Sequence, residues 1–246
     1  MSITICFDFG NTRLKAAVFE ASTFKEEVVL KDRSVDTLHE LVKKFAPKKT
    51  ILSSVINHSE ETEALLKKHS RFHKLGPSTK LPFTTPVGKL ETIGADRLAL
   101  CAAATHLFPG KNNLIISLGT CITYNFINQD YEFLGGAISP GMDMRYRSMH
   151  QFTALLPMVE QDEVSLRGNF PLVGYDTKTN LQSGVIAGIG FEIDGYLEYY
   201  QGRYGNFNAV LTGGNTLHFA RRLKNRIFAD QYFIYKGLFA LSELNN

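Results

Sequence analysis

The sequence predicts an α/β fold assembled twice, as two βββαβα-type domains covering residues 1–110 and 111–246. Three observations carry this expectation. Ile3–Phe9 is rich in β-branched and aromatic residues, Gly10-Asn11-Thr12 is turn chemistry, and Leu14–Phe19 is again β-rich, which together read as strand, tight turn, strand. Asn113–Leu118, Gly119-Thr120 and Cys121–Ile127 repeat that shape roughly a hundred residues later, about the length of one small domain. Between the copies, Pro109-Gly110-Lys111-Asn112 reads as a hinge.

The remaining elements follow in order. Glu27–Lys31 reads as a third strand. Asp36 is placed to cap a helix with Leu38, Leu41, Val42 and Phe45 on one face, stopped by Pro47. Thr50–Val55 reads as a buried parallel strand, and Ser59 as the cap of a helix over Glu60–His69. That completes the order βββαβα. Gly76–Lys89, with Pro77, Pro82 and Pro86, reads as loop. The alanine-rich run through Ala104 is a strong helix, with Gly94-Ala95-Asp96 at its N-terminal end. In the second half, Phe133–Gly141 is a strand ending in a glycine-rich corner, where Gly135 and Gly136 point to close backbone approach. Met142–Phe152 is helical and Thr179–Tyr200 is the longest helix, its glycines permitting close packing. Ala209–Asn215 is a strand running into a di-glycine turn, followed by helices from Leu217 and over Lys236–Asn245.

The chemistry collects at the turns. Asp8 ends the first strand facing a turn whose free N–H groups and Thr12 hydroxyl form a concavity suited to an anion such as phosphate. A carboxylate beside phosphate calls for a cation as well, because the two repel. Taken alone, these residues also describe a β-hairpin with a polar tip; the second copy is what favours a pair of phosphate turns. Asp96 in a first helical turn stays ionised through the helix dipole, and an ordinary first-turn Asp reads the same way. Arg97 beside it makes an acidic–basic pair able to hold a hydroxyl and a carboxylate of one substrate.

Composition narrows the classes. With 44% hydrophobic and 21% charged residues, a net charge of +3 and no dense Lys/Arg run, the chain has no case for a nucleic acid or an anionic membrane as partner. Cys6, Cys101 and Cys121 sit in or beside apolar runs, as buried thiols of a reducing compartment do, and no Cys/His spacing suits zinc. No signal peptide or bilayer-length apolar run is evident, so a cytoplasmic location is expected. The P-loop pattern GxxxxGK[ST] is absent, and Gly188-Ile189-Gly190 lacks the third glycine of a dinucleotide fingerprint.

The paired hairpins resemble the actin-like ATPase superfamily, whose duplicated ribonuclease H-like domains hold a nucleotide in the cleft between them. More narrowly, Asp8-Phe9-Gly10-Asn11-Thr12, Gly94-Ala95-Asp96-Arg97, Gly119-Thr120, Gly135-Gly136-Ala137-Ile138-Ser139-Pro140-Gly141, Leu156-Pro157, Gln182-Ser183-Gly184 and Thr212-Gly213-Gly214 resemble, in order and across nearly the whole chain, the motifs of type III pantothenate kinases. The resemblance implies transfer of phosphate from ATP to the terminal hydroxyl of pantothenate, the first step of coenzyme A synthesis, in a homodimer. It implies ATP-binding roles for Asp8, Phe9, Gly10, Asn11, Thr12, Arg13, Leu14, Lys15, Gly119, Thr120, Gly213 and Gly214. It implies a pantothenate site at Gly94, Ala95, Asp96 and Arg97, with Asp96 as proton acceptor and Thr177 reaching the site across the dimer interface. Mg2+ is implied near Asp8, and a monovalent cation, K+ or NH4+, at the position of Ser117. Three positions depart from the family pattern. Ser117 and Asn125 stand where Asp is usual or frequent, and Val87 stands where an aromatic residue often precedes Gly94. Two competing readings are a non-catalytic relative that binds a nucleotide or acts with the transcription apparatus, and another actin-like sugar or acetate kinase. Retention of Asp8 and Asp96 opposes the first, and Gly94-Ala95-Asp96-Arg97 opposes the second.

Overall fold

A computed structural model describes residues 2–86, 90–160 and 171–246; Val87 lies outside them. The chain divides into two compact units, one comprising Met1–Lys111, Asn125–Gly135 and Tyr232–Asn246, the other Asn112–Tyr124 and Gly136–Gln231.

The first unit is built on a five-stranded sheet in the order β3-β2-β1-β4-β5, formed by β1 (Ile3–Phe9), β2 (Leu14–Glu20), β3 (Thr23–Val29), β4 (Lys49–Ser54) and β5 (Arg71–Lys74). β1 pairs antiparallel with β2 and parallel with β4. Alternation along β1 sends Ile5, Phe7 and Phe9 to one face, where they pack with Leu38, Leu41 and Val42 of α1 (Val35–Phe45) and Leu66 of α2 (Glu60–His69). Cys6 and Asp8 point to the other face, which α3 (Ala95–Leu107) and the C-terminal helix α8 (Phe233–Asn245) cover. α3 and α8 approach so closely that any side chain at Gly237 would run into the Ala99 carbonyl.

The second sheet has the order β10-β9-β6-β7-β8, formed by β6 (Asn113–Leu118), β7 (Cys121–Ile127), β8 (Phe133–Pro140), β9 (Asn208–Thr212) and β10 (Phe228–Ala229). β6 pairs parallel with β9, and β9 with β10. Read from β8, this order repeats the first sheet strand for strand, so that β6 and β9 stand where β1 and β4 stand. The expected α/β fold is therefore observed as two mixed sheets of matching strand order. α4 (Met142–Gln151), α5 (Thr177–Gln182), a π-helical turn over Ser183–Ala187, α6 (Gly188–Tyr204) and the short α7 (Thr216–Phe219) accompany the second sheet.

Several boundaries differ from the sequence reading. The third strand begins at Thr23, because Ala21 takes a left-handed φ of 53° and turns the chain tightly after β2. Ser34 caps α1 by accepting from the Thr37 N–H at 3.2 Å, which leaves Asp36 inside the first turn. Ser59 caps α2 as expected. The long helix runs without a break from Thr177 to Tyr204, because the Gly184 segment widens into a π turn instead of ending it.

Candidate active site

In the first unit, the β1–β2 turn closes through the Gly10 N–H donating to the Arg13 carbonyl at 3.2 Å, leaving Asn11, Thr12 and Arg13 exposed. Phe9 and Leu14, which flank this turn, are 2% and 7% exposed and belong to the apolar core, so they fix the turn from beneath. Asp8 and Lys15 are register partners, and their side chains share a face of the sheet. Lys15 Nζ donates to both oxygens of Glu27, at 3.1 and 3.2 Å, and the Tyr235 hydroxyl donates to the same carboxylate at 2.8 Å. Glu27 and Tyr235 carried no site role in the sequence reading; a single acidic residue in an edge strand and a tyrosine in a C-terminal helix give no local signal of this pairing.

Asp96 sits in the first turn of α3, whose N-cap is Gly94. A Cβ at Gly94 would come 2.5 Å from Asp96 Oδ1, so glycine is what lets the carboxylate lie back over the helix start. Burial pushes the pKa of Asp96 above the ordinary carboxylate range, against the Arg97 backbone N–H, the Arg97 charge and its own backbone N–H. Asp8 is pushed up to about 7, first by burial and then by the negative charge of Asp96, with Lys15 opposing and Glu27 adding to the rise. The structure thus brings Asp8, Lys15 and Asp96 into one electrostatic neighbourhood. Arg97 is held by Nε donating to Asn125 Oδ1 at 2.6 Å, with its guanidinium 5.4 Å from the Phe133 ring centre. Asn125 thus secures Arg97 without neutralising it. Beside Gly94 and Ala95 lies a cleft of about 360 Å3 whose walls include Ser54, Val55, Pro77 and Leu90.

In the second unit, the β6–β7 turn exposes Gly119 and Thr120 and closes through the Gly119 N–H donating to the Cys121 carbonyl at 3.1 Å. Gly141 packs directly on that turn; a Cβ there would meet the Gly119 carbonyl and stand 2.5 Å from the Thr120 carbonyl. Gly213 has a φ of 96°, and its added Cβ would stand 2.5 Å from the Leu118 carbonyl. Gly214 is exposed and open. Ser117 is half-buried and is the register partner of Thr212. Thr177 is the exposed first residue of α5, behind the Asp176 cap. A cluster absent from the sequence reading lies here too. Glu192 accepts from the Tyr124 hydroxyl at 2.8 Å, the Ser139 hydroxyl at 2.5 Å and the Arg145 guanidinium. Burial alone would raise Glu192, but these three donors outweigh it and hold the carboxyl below its ordinary value.

Among the described residues, no group of three or more His, Cys, Asp or Glu side chains is placed to hold a metal by itself, and no helix is long and apolar enough to cross a membrane.

Comparison with known proteins gives a consistent result. A family model described as type III pantothenate kinase matches residues 4–199. The chain is similar to a type III pantothenate kinase of Christiangramia forsetii, 40% identical over 245 residues and covering 99% of each chain. One of Bacteroides fragilis is 38% identical over 245 residues, again 99% of each. Among solved structures, a Campylobacter jejuni protein described as a Baf-family transcriptional activator aligns over 98% of each chain with a TM-score of 0.61 at 22% identity. An Arthrobacter polyphosphate/ATP-glucomannokinase aligns over 100% of each chain with a TM-score of 0.50 at 12% identity. At these identities the two structures speak for the fold alone, the duplicated ribonuclease H-like α/β fold.

Proposed function

The chain belongs to the type III pantothenate kinase family, and from that premise we propose how its residues divide the work. The family reaction is ATP-dependent phosphorylation of pantothenate to 4′-phosphopantothenate, opening coenzyme A biosynthesis. Asp96 is the general base that takes the proton from the pantothenate hydroxyl. The observation that carries this assignment is the raised pKa of Asp96 at a glycine-cleared helix start, beside a cleft and one residue from a cation. A base tuned toward the operating pH is what such proton transfer requires. Arg97, held by neutral Asn125, keeps its charge for the pantothenate carboxylate. Gly94 and Ala95 line the acceptor cleft.

Asp8–Lys15 in the first unit and Gly119, Thr120, Gly213 and Gly214 in the second are the ATP-binding residues of this reading. The carboxylate of Asp8, repelled by Asp96, fits a divalent cation, and one carboxylate with substrate phosphates is a usual Mg2+ donor set. When bound, Mg2+ neutralises charge on the transferring phosphoryl group. The chain's own part is to orient the hydroxyl, accept its proton at Asp96 and hold the phosphates with backbone N–H groups. Ser117 offers a neutral oxygen for K+ or NH4+. Thr177 serves the pantothenate site of a second copy, which makes the homodimer the working form. Along the sequence the duplicated halves run over 1–110 and 111–246, with Asn125–Gly135 and Tyr232–Asn246 packing in the first compact unit, and the reading is of a cytoplasmic enzyme.

The test is release of ADP that depends on pantothenate, with and without K+, together with sedimentation of the same sample. Pantothenate-dependent turnover by a dimer is expected. A fully active monomer would overturn the shared-site reading of Thr177.

A further inference from the structure

Among the described residues, three buried side-chain polar atoms have no hydrogen-bond partner: Ser53 Oγ, Thr212 Oγ1 and His218 Nε2. Two of the three stand at matching places. Ser53 on β4 is the parallel register partner of Asp8 on β1. Thr212 on β9 is the parallel register partner of Ser117 on β6. Since β4 and β9 hold equivalent positions in the two sheets, each phosphate turn is entered from a strand with a buried hydroxyl beside its last polar residue. Register partners on neighbouring strands project to the same face, with Cβ atoms about 5 Å apart. Ser53 therefore shares the face of Asp8, and it is 0% exposed.

A hydroxyl buried without a partner costs free energy, and alanine would fill the same place without that cost. Serine is also a weak choice for a central strand, which favours β-branched and aromatic residues. A polar atom kept twice, in register with the residue at each turn, has its use when the turn is at work. No direct hydrogen bond joins Ser53 Oγ to the Asp8 carboxylate beside it, and a single intervening water is the link that would satisfy both.

We propose that Ser53 is a positioning residue for Asp8, its hydroxyl donating to a water that also meets the Asp8 carboxylate and so fixing that carboxylate toward the cation on the bound nucleotide. This rests on the reading of Asp8 as the residue facing Mg2+.

The experiment measures ATP binding by calorimetry, with Mg2+ and in EDTA, for the full-length parent, Ser53→Ala, Ser53→Cys and Asp8→Asn, with melting temperatures and the pantothenate KM alongside. Loss of one hydrogen-bonded link is expected to weaken Mg2+-ATP binding roughly 3- to 10-fold in both Ser53 variants. Binding in EDTA and the pantothenate KM stay at parent values. Ser53→Cys carries the test if the alanine variant does not fold. Parent-like Mg2+-ATP binding with a raised melting temperature would overturn the proposal, as that is how a merely unsatisfied hydroxyl behaves. An equal loss in EDTA would overturn it too. If Asp8→Asn also binds Mg2+-ATP like the parent, the reading of Asp8 itself has failed; if only the Ser53 variants are unaffected, the failure is confined to Ser53.

Discussion

The β1–β2 and β6–β7 turns share a backbone plan and differ in charge. The first carries Asp8 with Lys15 as its register partner, and Glu27, Tyr235 and Asp96 are drawn into the same electrostatic network. The second carries Ser117 beside Thr212, with no ionisable side chain between Ser117 and Thr120. The turn glycines themselves are alike, a Cβ at Gly10 meeting the Arg13 carbonyl at 3.3 Å and one at Gly119 the Cys121 carbonyl at 3.6 Å, but the second turn is also packed upon by Gly141 and Gly213, whose added Cβ atoms would run into its carbonyls. The two copies therefore share a turn closed by a glycine N–H on a backbone carbonyl, Gly10 to Arg13 and Gly119 to Cys121. The charged chemistry went to one copy and the tight packing to the other.

If chemistry belongs to the first unit, its carboxylates should give the largest kinetic effects. Asp96→Asn keeps the shape but cannot accept the hydroxyl proton, and a fall of about 10²–10⁴-fold in kcat is expected, with ATP binding retained. Steady-state ADP release and equilibrium nucleotide binding check this. Turnover at the parent rate would remove Asp96 from the mechanism.

Asp8→Asn should follow, with Mg2+-dependent turnover falling roughly a hundred-fold as the cation loses its anionic partner. It should also separate stability from function. Folded Asp8 titrates at about 7, while an unfolded aspartate titrates near 3.9. Between those values the folded state holds the extra proton, so the contribution of Asp8 to stability declines as pH rises from about 4 to about 7. The asparagine variant is free of that decline. In EDTA it should melt above the parent at pH 8 and lose that advantage near pH 4. An unchanged difference between the two pH values would mean that Asp96 and burial do not press on Asp8.

What the sequence made legible follows the range of the interactions. The strand–turn–strand copies, the Ser59 cap and the Gly94–Arg97 helix start are set by neighbours a few residues apart, and each appears where the residues place it. The hydrogen bond of Tyr235 to Glu27 spans 208 residues and that of Tyr124 to Glu192 spans 68, so neither could be read from a local pattern. β5 and β10 escaped because short edge strands carry little apolar signal: Phe72 is the one apolar residue of β5 (Arg71–Lys74), and β10 has only two residues, both exposed. The family resemblance supplied residue roles that no spacing could, and Asn125 shows its limit. Its meaning emerged only with the 2.6 Å bond from Arg97.

The packing of Gly141 on the second turn predicts a difference in tolerance. Gly141→Ala forces a Cβ against the Gly119 and Thr120 carbonyls and should cost about 3 kcal/mol. Gly10→Ala meets one carbonyl at 3.3 Å and should cost about 1 kcal/mol or less. In a chain of this length that separates the two by roughly 4–8 °C in melting temperature. Equal melting temperatures would mean that the second turn gives way as easily as the first.

The smallest effect expected is the one that tests the charge asymmetry itself. Ser117 can offer an oxygen to K+, but no charge. Potassium is large and weakly hydrated, and neutral oxygens can hold it, so a cation site at Ser117 would have lower affinity than one with a carboxylate. Ser117→Asp adds the missing charge. Opposite charges about 4 Å apart attract by roughly 1 kcal/mol in water and about 4 kcal/mol at an effective dielectric of 20. Because Ser117 is only half-buried, the lower end applies, and half-saturating K+ should fall about five-fold. In the absence of any monovalent cation the new carboxylate has no partner, and the variant should melt below the parent until K+ is added. Potassium titrations of ADP release and of melting temperature, run on both forms, measure the two effects separately. If the parent already saturates at low K+ and Ser117→Asp changes neither curve, Ser117 does not face the cation. The neutrality of the second turn would then concern the nucleotide alone.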